Sequence, residues 1–249
     1  MRSFEELVAE GAAVPLDGWD FSWFVGRATE ERPTWGYGGL VAERMAKVAS
    51  ALDVQTGGGE VLSRMPVVPS TLAATEGWPP NVEVARRTLE PLGVTVAEVA
   101  NDAPLPFPDE TFDLVVSRHP TVTPWLEIAR VLRGGGTFLS QQIGAGTNQE
   151  LTEAMMGPQP ISDDYRPETA VRAAEAAGLE VVDVRAESLR VTFDDVGAVV
   201  HFLRKVLWTV PGFSVDAYRP QLAAMHERIR TQGPFVSHSE RFLIDASKP

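Results

Sequence analysis

The sequence predicts an α/β protein built on a doubly wound, mostly parallel sheet. Three observations predict it. Short apolar runs alternate with amphipathic stretches from residue 39 onward. One run, Phe112-Asp113-Leu114-Val115-Val116-Ser117, is apolar enough to be buried on both faces, as strands of a parallel sheet are. A third stretch, Ala51–Val54, reads as a strand that breaks into Gln55-Thr56-Gly57-Gly58-Gly59 and then into the helix-compatible run Glu60–Met65. Strand, glycine turn and helix in that order make a nucleotide cradle, because glycines admit close backbone approach and a helix N-terminus offers unpaired N–H groups.

Residues 1–37 read as an N-terminal arm. Trp19, Phe21, Trp23, Phe24, Trp35 and Tyr37 crowd into it, and large aromatics there mostly staple an arm to a core. Trp35 and Tyr37 stand just before the first helix and are candidates for a lid over an acceptor. Gly39–Ala49 is predicted helical, with Val41, Met45 and Val48 on one face. A second strand ends near Thr71–Ala74, and Asn81 is placed to cap a helix running to Leu92 and closed by Gly93. Val94–Val99 is the third strand and Phe112–Ser117 the fourth. Trp125–Leu132 is a helix ending at Gly134-Gly135-Gly136, and Thr137–Gln142 is the fifth strand. Pro167–Ala177 carries proline first and Gly178 just past its end, the usual helix asymmetry. Glu180–Arg185 is strand six and Glu240–Asp245 a final strand, seven in all. Residues 193–235 read as a helical insertion before that last strand, a candidate cap for an acceptor pocket. The whole, 1–249, reads as one domain.

The charge balance narrows the partners. With 22 basic and 34 acidic residues the net charge is −12. Such a chain repels a polyanion, and no dense Lys/Arg run offsets that, which argues against nucleic acid. There is no cysteine, so disulfides and thiolate chemistry are excluded. The start, Met1–Glu6, lacks a signal-peptide layout, and no apolar run reaches the roughly 18 residues a membrane helix needs. The expectation is a soluble, cytoplasmic protein with no membrane partner.

Four motifs, in order, carry a family resemblance. Asp53–Gly59 is similar to an acidic-x-Gly-x-Gly-x-Gly motif, and Glu76 follows 23 residues after Asp53, near the distance at which an acid binds ribose hydroxyls in nucleotide-binding units. Asp102-Ala103-Pro104-Leu105-Pro106-Phe107 is similar to an Asp-Ala-x-x-Leu-Pro-Phe segment, and Leu132-Arg133-Gly134-Gly135-Gly136 to a Leu-Lys-Pro-Gly-Gly turn. Together they resemble the class I S-adenosylmethionine-dependent methyltransferases over roughly residues 38–192. The resemblance implies a seven-stranded doubly wound sheet with S-adenosyl-L-methionine at the carboxyl ends of its first strands. It implies cofactor contacts from Asp53, Gln55, Thr56, Gly57 and Gly59, and from Glu76, Gly77 and Trp78. It further implies contacts from Asn101, Asp102, Ala103 and Ser117. Two positions depart from the pattern: Gln55 replaces the first glycine, so its side chain must point away or reshape the site, and Gly134 replaces a proline.

Methyl transfer from a sulfonium is an in-line displacement, in which alignment and desolvation supply much of the acceleration. An acidic acceptor also needs a base. Ser117-Arg118-His119 follows the fourth strand, so His119 is a candidate base and Arg118 a candidate holder of an acceptor carboxylate or phosphate. Trp35, Tyr37, His119, Gln141 and Gln142 are candidate acceptor contacts. No His-x-x-x-His or Gly-x-Ser-x-Gly occurs, and His201, His226 and His238 lack metal-site spacing. The expected function is methyl transfer to a small molecule. An RNA or protein methyltransferase, a non-catalytic cofactor-binding protein and a nicotinamide-dependent dehydrogenase remain as alternatives, the last weakened because Gly57-x-Gly59-x-x-Leu62 lacks the third glycine of the dinucleotide fingerprint.

Overall fold

A computed structural model describes residues 2–16 and 21–249 of the chain. Trp19, among the arm aromatics, lies outside the described residues. Eight strands appear: β1 (Ala28–Glu30), β2 (Ser50–Asp53), β3 (Thr71–Glu76), β4 (Thr95–Glu98), β5 (Phe112–Arg118), β6 (Leu132–Ile143), β7 (Glu180–Phe193) and β8 (Phe235–Ser247). The α-helices are α1 (Phe4–Ala13), α2 (Tyr37–Met45), α3 (Pro79–Leu89), α4 (Trp125–Val131), α5 (Gln149–Met156), α6 (Pro167–Ala176), α7 (Val196–Lys205) and α8 (Arg219–Gln232).

The strands form one sheet in the order β1-β7-β8-β6-β5-β2-β3-β4. Strands β4, β3, β2, β5 and β6 are mutually parallel. Strand β8 runs antiparallel to β6, and β1 antiparallel to β7. This is the mostly parallel α/β architecture expected, with one strand more than the seven read from the sequence, because Ala28–Glu30 pairs as an edge. All four residues of β2 are buried and five of the six in β3, which is why these runs read as apolar with little alternation.

The chain divides into two compact units. Pro33–Gly144, Asp163–Glu187 and Arg241–Pro249 make one. Its interior has two clusters: one holds Leu52, Val115, Phe112 and Phe138, and the other Val41, Met45, Leu89, Val116 and Leu139. Met1–Arg32, Ala145–Ser162 and Ser188–Glu240 make the other unit. Its core gathers Leu7, Phe24, Leu151, Phe193, Val199, Leu203 and Leu222. In that unit α1 begins with a capping box between Ser3 and Glu6, and α7 with Asp195 accepting the Ala198 N–H at 2.9 Å. The two helices meet at Gly11 and Gly197, where backbone lies against backbone.

Four local expectations need correction. Glu60–Met65 is not a helix; only Leu62–Arg64 makes a single 3₁₀ turn, and Pro66 prevents propagation. Asn81 does not cap α3: Pro79 and Pro80, whose missing N–H groups cost nothing in a first turn, start the helix, and Asn81 is buried inside it. That helix stops at Leu89, and a 3₁₀ turn over Glu90–Leu92 leads to Gly93 at φ 66°. The Gly134–Gly136 segment does not follow a helix as a free turn; it lies within β6. Between Phe112↔Leu132 and Leu114↔Thr137 the strand β5 advances two residues while β6 advances five, so the glycines take up the slack as an irregularity.

Candidate active site

The sheet order fixes where a ligand crevice opens. From β2 the chain moves outward through β3 and β4, while β5 and β6 lie on the opposite side of β2. The reversal puts a topological switch point between β2 and β5, and in open α/β sheets ligands bind beyond the carboxyl ends of the strands at such a point. Residues 53–59 follow β2, residues 76–78 end β3 and residues 117–123 end β5, so the sequence-predicted residues converge on this edge.

The glycine turn is internally satisfied. The Gln55 N–H donates to Thr75 Oγ1 at 3.2 Å and the Thr56 N–H to the Thr75 carbonyl at 2.9 Å. Gly57 N–H donates to Glu76 Oε2 at 2.8 Å, Gly58 to Glu60 Oε2 at 3.1 Å, and Gly59 to the Thr56 carbonyl at 3.2 Å. Gly59 sits at φ 82°, and a Cβ there would stand 2.7 Å from the Leu89 side chain, so only glycine lets α3 pack so close. With no long helix behind it, the turn is held by side-chain acids in place of a helix terminus.

Of the acids around the turn, Glu60 is exposed while Glu76 and Asp53 are buried. Glu76 is 6% exposed, and besides Gly57 its carboxylate accepts the Gly77 and Trp78 N–H groups at 3.0 and 2.9 Å. A carboxylate has about four acceptor positions, so three bonds leave one for a ligand hydroxyl. Asp53 accepts from Thr56 Oγ1 at 2.7 Å and is 4% exposed. Burial lifts its pKa to about 7, the Thr56 bond opposing and the Glu76 and Glu60 charges reinforcing the rise. Tyr37 is buried beside it, its hydroxyl bonded by the Ser117 backbone; burial first and the Asp53 charge second push that phenol well above its ordinary value.

A second cluster forms around Gln141. Its Oε1 accepts the Trp35 indole N–H at 2.9 Å, which fixes the amide orientation, since an indole can only donate. Its Nε2 therefore faces His119 Nε2 at 2.8 Å as the donor, and the His119 ring nitrogen accepts. His119 is thus the neutral tautomer with its proton on Nδ1. Burial, then the charges of Arg241 and Arg118, hold its pKa well below 6.5, in agreement with that geometry. The backbone of His119 is left-handed, φ 56°, with its N–H on the Gln141 carbonyl at 2.7 Å. Neither Gln141's role as the hub nor the His119 tautomer is visible in the sequence, where Gln141 is one of two adjacent amides.

The remaining predicted residues are placed as follows. Ser117 is 1% exposed and its hydroxyl donates to the Val54 carbonyl at 2.7 Å. Arg118 is exposed at the end of β5. Gln142 Nε2 donates to Thr123 Oγ1 at 3.1 Å. Trp78 is 47% exposed and precedes α3. Asp102 is exposed, and the Ala103 N–H closes a turn onto the Ala100 carbonyl. Leu105 and Phe107 of the same segment are braced by Arg130, which donates to both their carbonyls and to Glu127. Asn101 Nδ2 donates to Thr121 Oγ1 at 2.7 Å, while its Oδ1 is buried without a partner. A Cβ on Gly77 would come within 2.5 Å of that Oδ1.

Gln55 carries the contact least visible in the sequence. Its backbone is left-handed, φ 58°, and its carboxamide reaches the loop after β5. Nε2 donates to the Val122 carbonyl at 2.5 Å, and Oε1 accepts from the Thr121 N–H and Oγ1 at 2.8 and 3.0 Å.

The donor set suits an adenosyl group. Glu76 keeps one acceptor position for a ribose hydroxyl, and the unpartnered Asn101 Oδ1 is an acceptor of the kind an exocyclic amine needs. No helix of the described residues is long and apolar enough to cross a membrane. A family model described as a methyltransferase domain matches residues 52–140. No curated protein matches the sequence. Among solved structures, the chain is similar to a protein assigned as a methyltransferase from Bacillus halodurans C-125, with TM-score 0.58, 19% identity, and 84% of this chain and 98% of that one covered. A functionally unknown protein from Deinococcus radiodurans R1 gives TM-score 0.63 at 15% identity over 89% of this chain and 91% of that one. Geranyl diphosphate methyltransferase in complex with GPP and sinefungin gives TM-score 0.51 at 15% identity over 84% and 76%. The domain match takes in the glycine turn, Glu76 and the Asn101–Phe107 segment, and the solved structures share the fold of the chain.

Proposed function

We propose that this enzyme methylates a small-molecule acceptor carrying an anionic group, which enters at the carboxyl end of β5 beside Arg118 and His119. The observation that carries the reading is the position of that pair next to the switch-point crevice, with Arg118 exposed and His119 fixed by Gln141. A net charge of −12 supports a small acceptor over a polyanion. So does the geranyl diphosphate methyltransferase neighbour, solved with the small molecule GPP.

Glu76 would hold the ribose of S-adenosylmethionine and Asn101 and Asp102 its base, with Gly57 and Gly59 shaping the turn beneath. Bound there, the cofactor supplies an electrophilic methyl on a sulfonium. The chain's own contribution is alignment and exclusion of water, for which the buried Trp35, Tyr37 and Gln141 are suited. Arg118 pairs with the acceptor's anion. His119, as held, presents Nδ1–H and uses its Nε2 lone pair on Gln141, so it serves to donate a hydrogen bond; a general-base role would require breaking the Gln141 contact.

Calorimetric titration with S-adenosylmethionine, S-adenosylhomocysteine and NAD tests the cofactor. Saturable binding of the first two is expected, weakened at least tenfold in Glu76→Gln, whose single acceptor oxygen cannot serve three N–H groups and a ribose. Binding of NAD alone would overturn it. For the acceptor, transfer of label from methyl-labelled cofactor into the small-molecule fraction of an extract is expected; label confined to RNA or protein refutes the acceptor class.

A further inference from the structure

We propose that Gln55 is a latch across the cofactor crevice, which must release before the cofactor can settle. The inference rests on the cofactor reading above. Gln55 follows β2 and Thr121 and Val122 follow β5, the two strands that flank the switch point. Its carboxamide spans from one to the other with three hydrogen bonds, so the gap is tied shut at its mouth by one side chain. Asn101 Nδ2 extends the tie by donating to the same Thr121 hydroxyl.

Two further observations mark this as a device and not ordinary packing. The bridge is at an exposed edge, where water could satisfy the same groups, with Val122 47% exposed. And Gln55 pays a conformational cost to make it, because a left-handed backbone is uncommon outside glycine and a few short polar residues. A strained, solvent-accessible clamp is a contact that a ligand can displace. A ligand that needs the open form binds with an apparent affinity reduced by the fraction of molecules that are open.

Two variants and one exchange measurement test this. Gln55→Gly removes clamp and strain together. Gln55→Asn keeps the amide and tolerates the left-handed backbone, but is one methylene too short to span. Both are expected to bind S-adenosylhomocysteine about tenfold more tightly than the unaltered protein, as for an open state near a tenth of the population. In the unaltered protein the Thr121 amide should be protected from hydrogen exchange and lose that protection on saturation with S-adenosylhomocysteine. Unchanged affinity in both variants, with Thr121 protection unaltered by saturating ligand, would overturn the latch and leave the cofactor reading intact. Absence of binding to the unaltered protein and to both variants would remove both.

Discussion

At the scale of single residues, Asp53 makes the sharpest prediction. Its carboxyl is held by burial at a pKa of about 7 against the ordinary 3.8. An acid raised in the folded state keeps its proton more tightly folded than unfolded. Its stabilisation is complete below about pH 4, is lost as pH rises through 7, and is constant above. Asp53→Asn keeps an acceptor for Thr56 without a charge to bury. Relative to the unaltered protein its unfolding free energy should therefore rise between pH 4.5 and pH 8, by no more than ~4 kcal/mol, and its melting temperature with it. Thermal unfolding at those two values checks it; a constant difference would mean the carboxyl is not buried as described. The sequence made Asp53, Glu76 and Gln55 legible as positions, because acid, glycines and acid stand at a recognisable spacing. It left their partners hidden. Glu76 spends three bonds on the backbone of residues 57, 77 and 78, and Gln55 reaches a loop 66 residues away, choices that only the juxtaposition of β2, β3 and β5 decides.

At the scale of elements, legibility followed burial. The all-buried β2 and the apolar β5 announced themselves, and α6 was bounded by Pro167 and Gly178. Strands β7 and β8 run 14 and 13 residues, well past the stretches read as strands: the burial of β7 is irregular, and the inward positions at the start of β8 include Ser237 and Ser239, which carry no apolar signal. Helix α5 was missed since Gln149–Met156 is short and mostly polar outside Leu151 and Met155. The α1–α7 contact was equally hidden, and it is testable. A Cβ on Gly11 would lie 2.2 Å from the Gly197 carbonyl oxygen, and one on Gly197 2.6 Å from the Leu7 carbonyl oxygen. Neither obstacle is a side chain that can swing aside, so either Gly→Ala change must push the helices apart, at a cost of roughly 1–3 kcal/mol. Gly39→Ala in α2 meets nothing within 4 Å and should be neutral or slightly stabilising. Denaturant midpoints of the three variants check the contrast.

At the scale of the whole molecule, charge decides the class of partner. Thirty-four acidic residues against 22 basic ones give −12, and about half of the arginines are committed to pairs, among them Arg44 with Asp245, Arg130 with Glu127 and Asp109, Arg133 with Asp113, Arg230 with Glu227. Binding a nucleic acid draws its free energy chiefly from counterions released as Lys and Arg neutralise phosphates, and its affinity falls steeply with salt for that reason. A surface with a net excess of acid and about half of its arginines already ion-paired has little to offer that process. Fluorescently labelled tRNA should therefore show no retention by the protein at 50 mM salt, where such binding is strongest, while S-adenosylhomocysteine affinity should change little between 50 and 300 mM. Anisotropy and calorimetry at the two salt concentrations measure both. Retention of tRNA at the lower salt, lost with a slope of several phosphates at the higher, would return the RNA class to consideration and move the search for the acceptor from metabolite pools to nucleic acid.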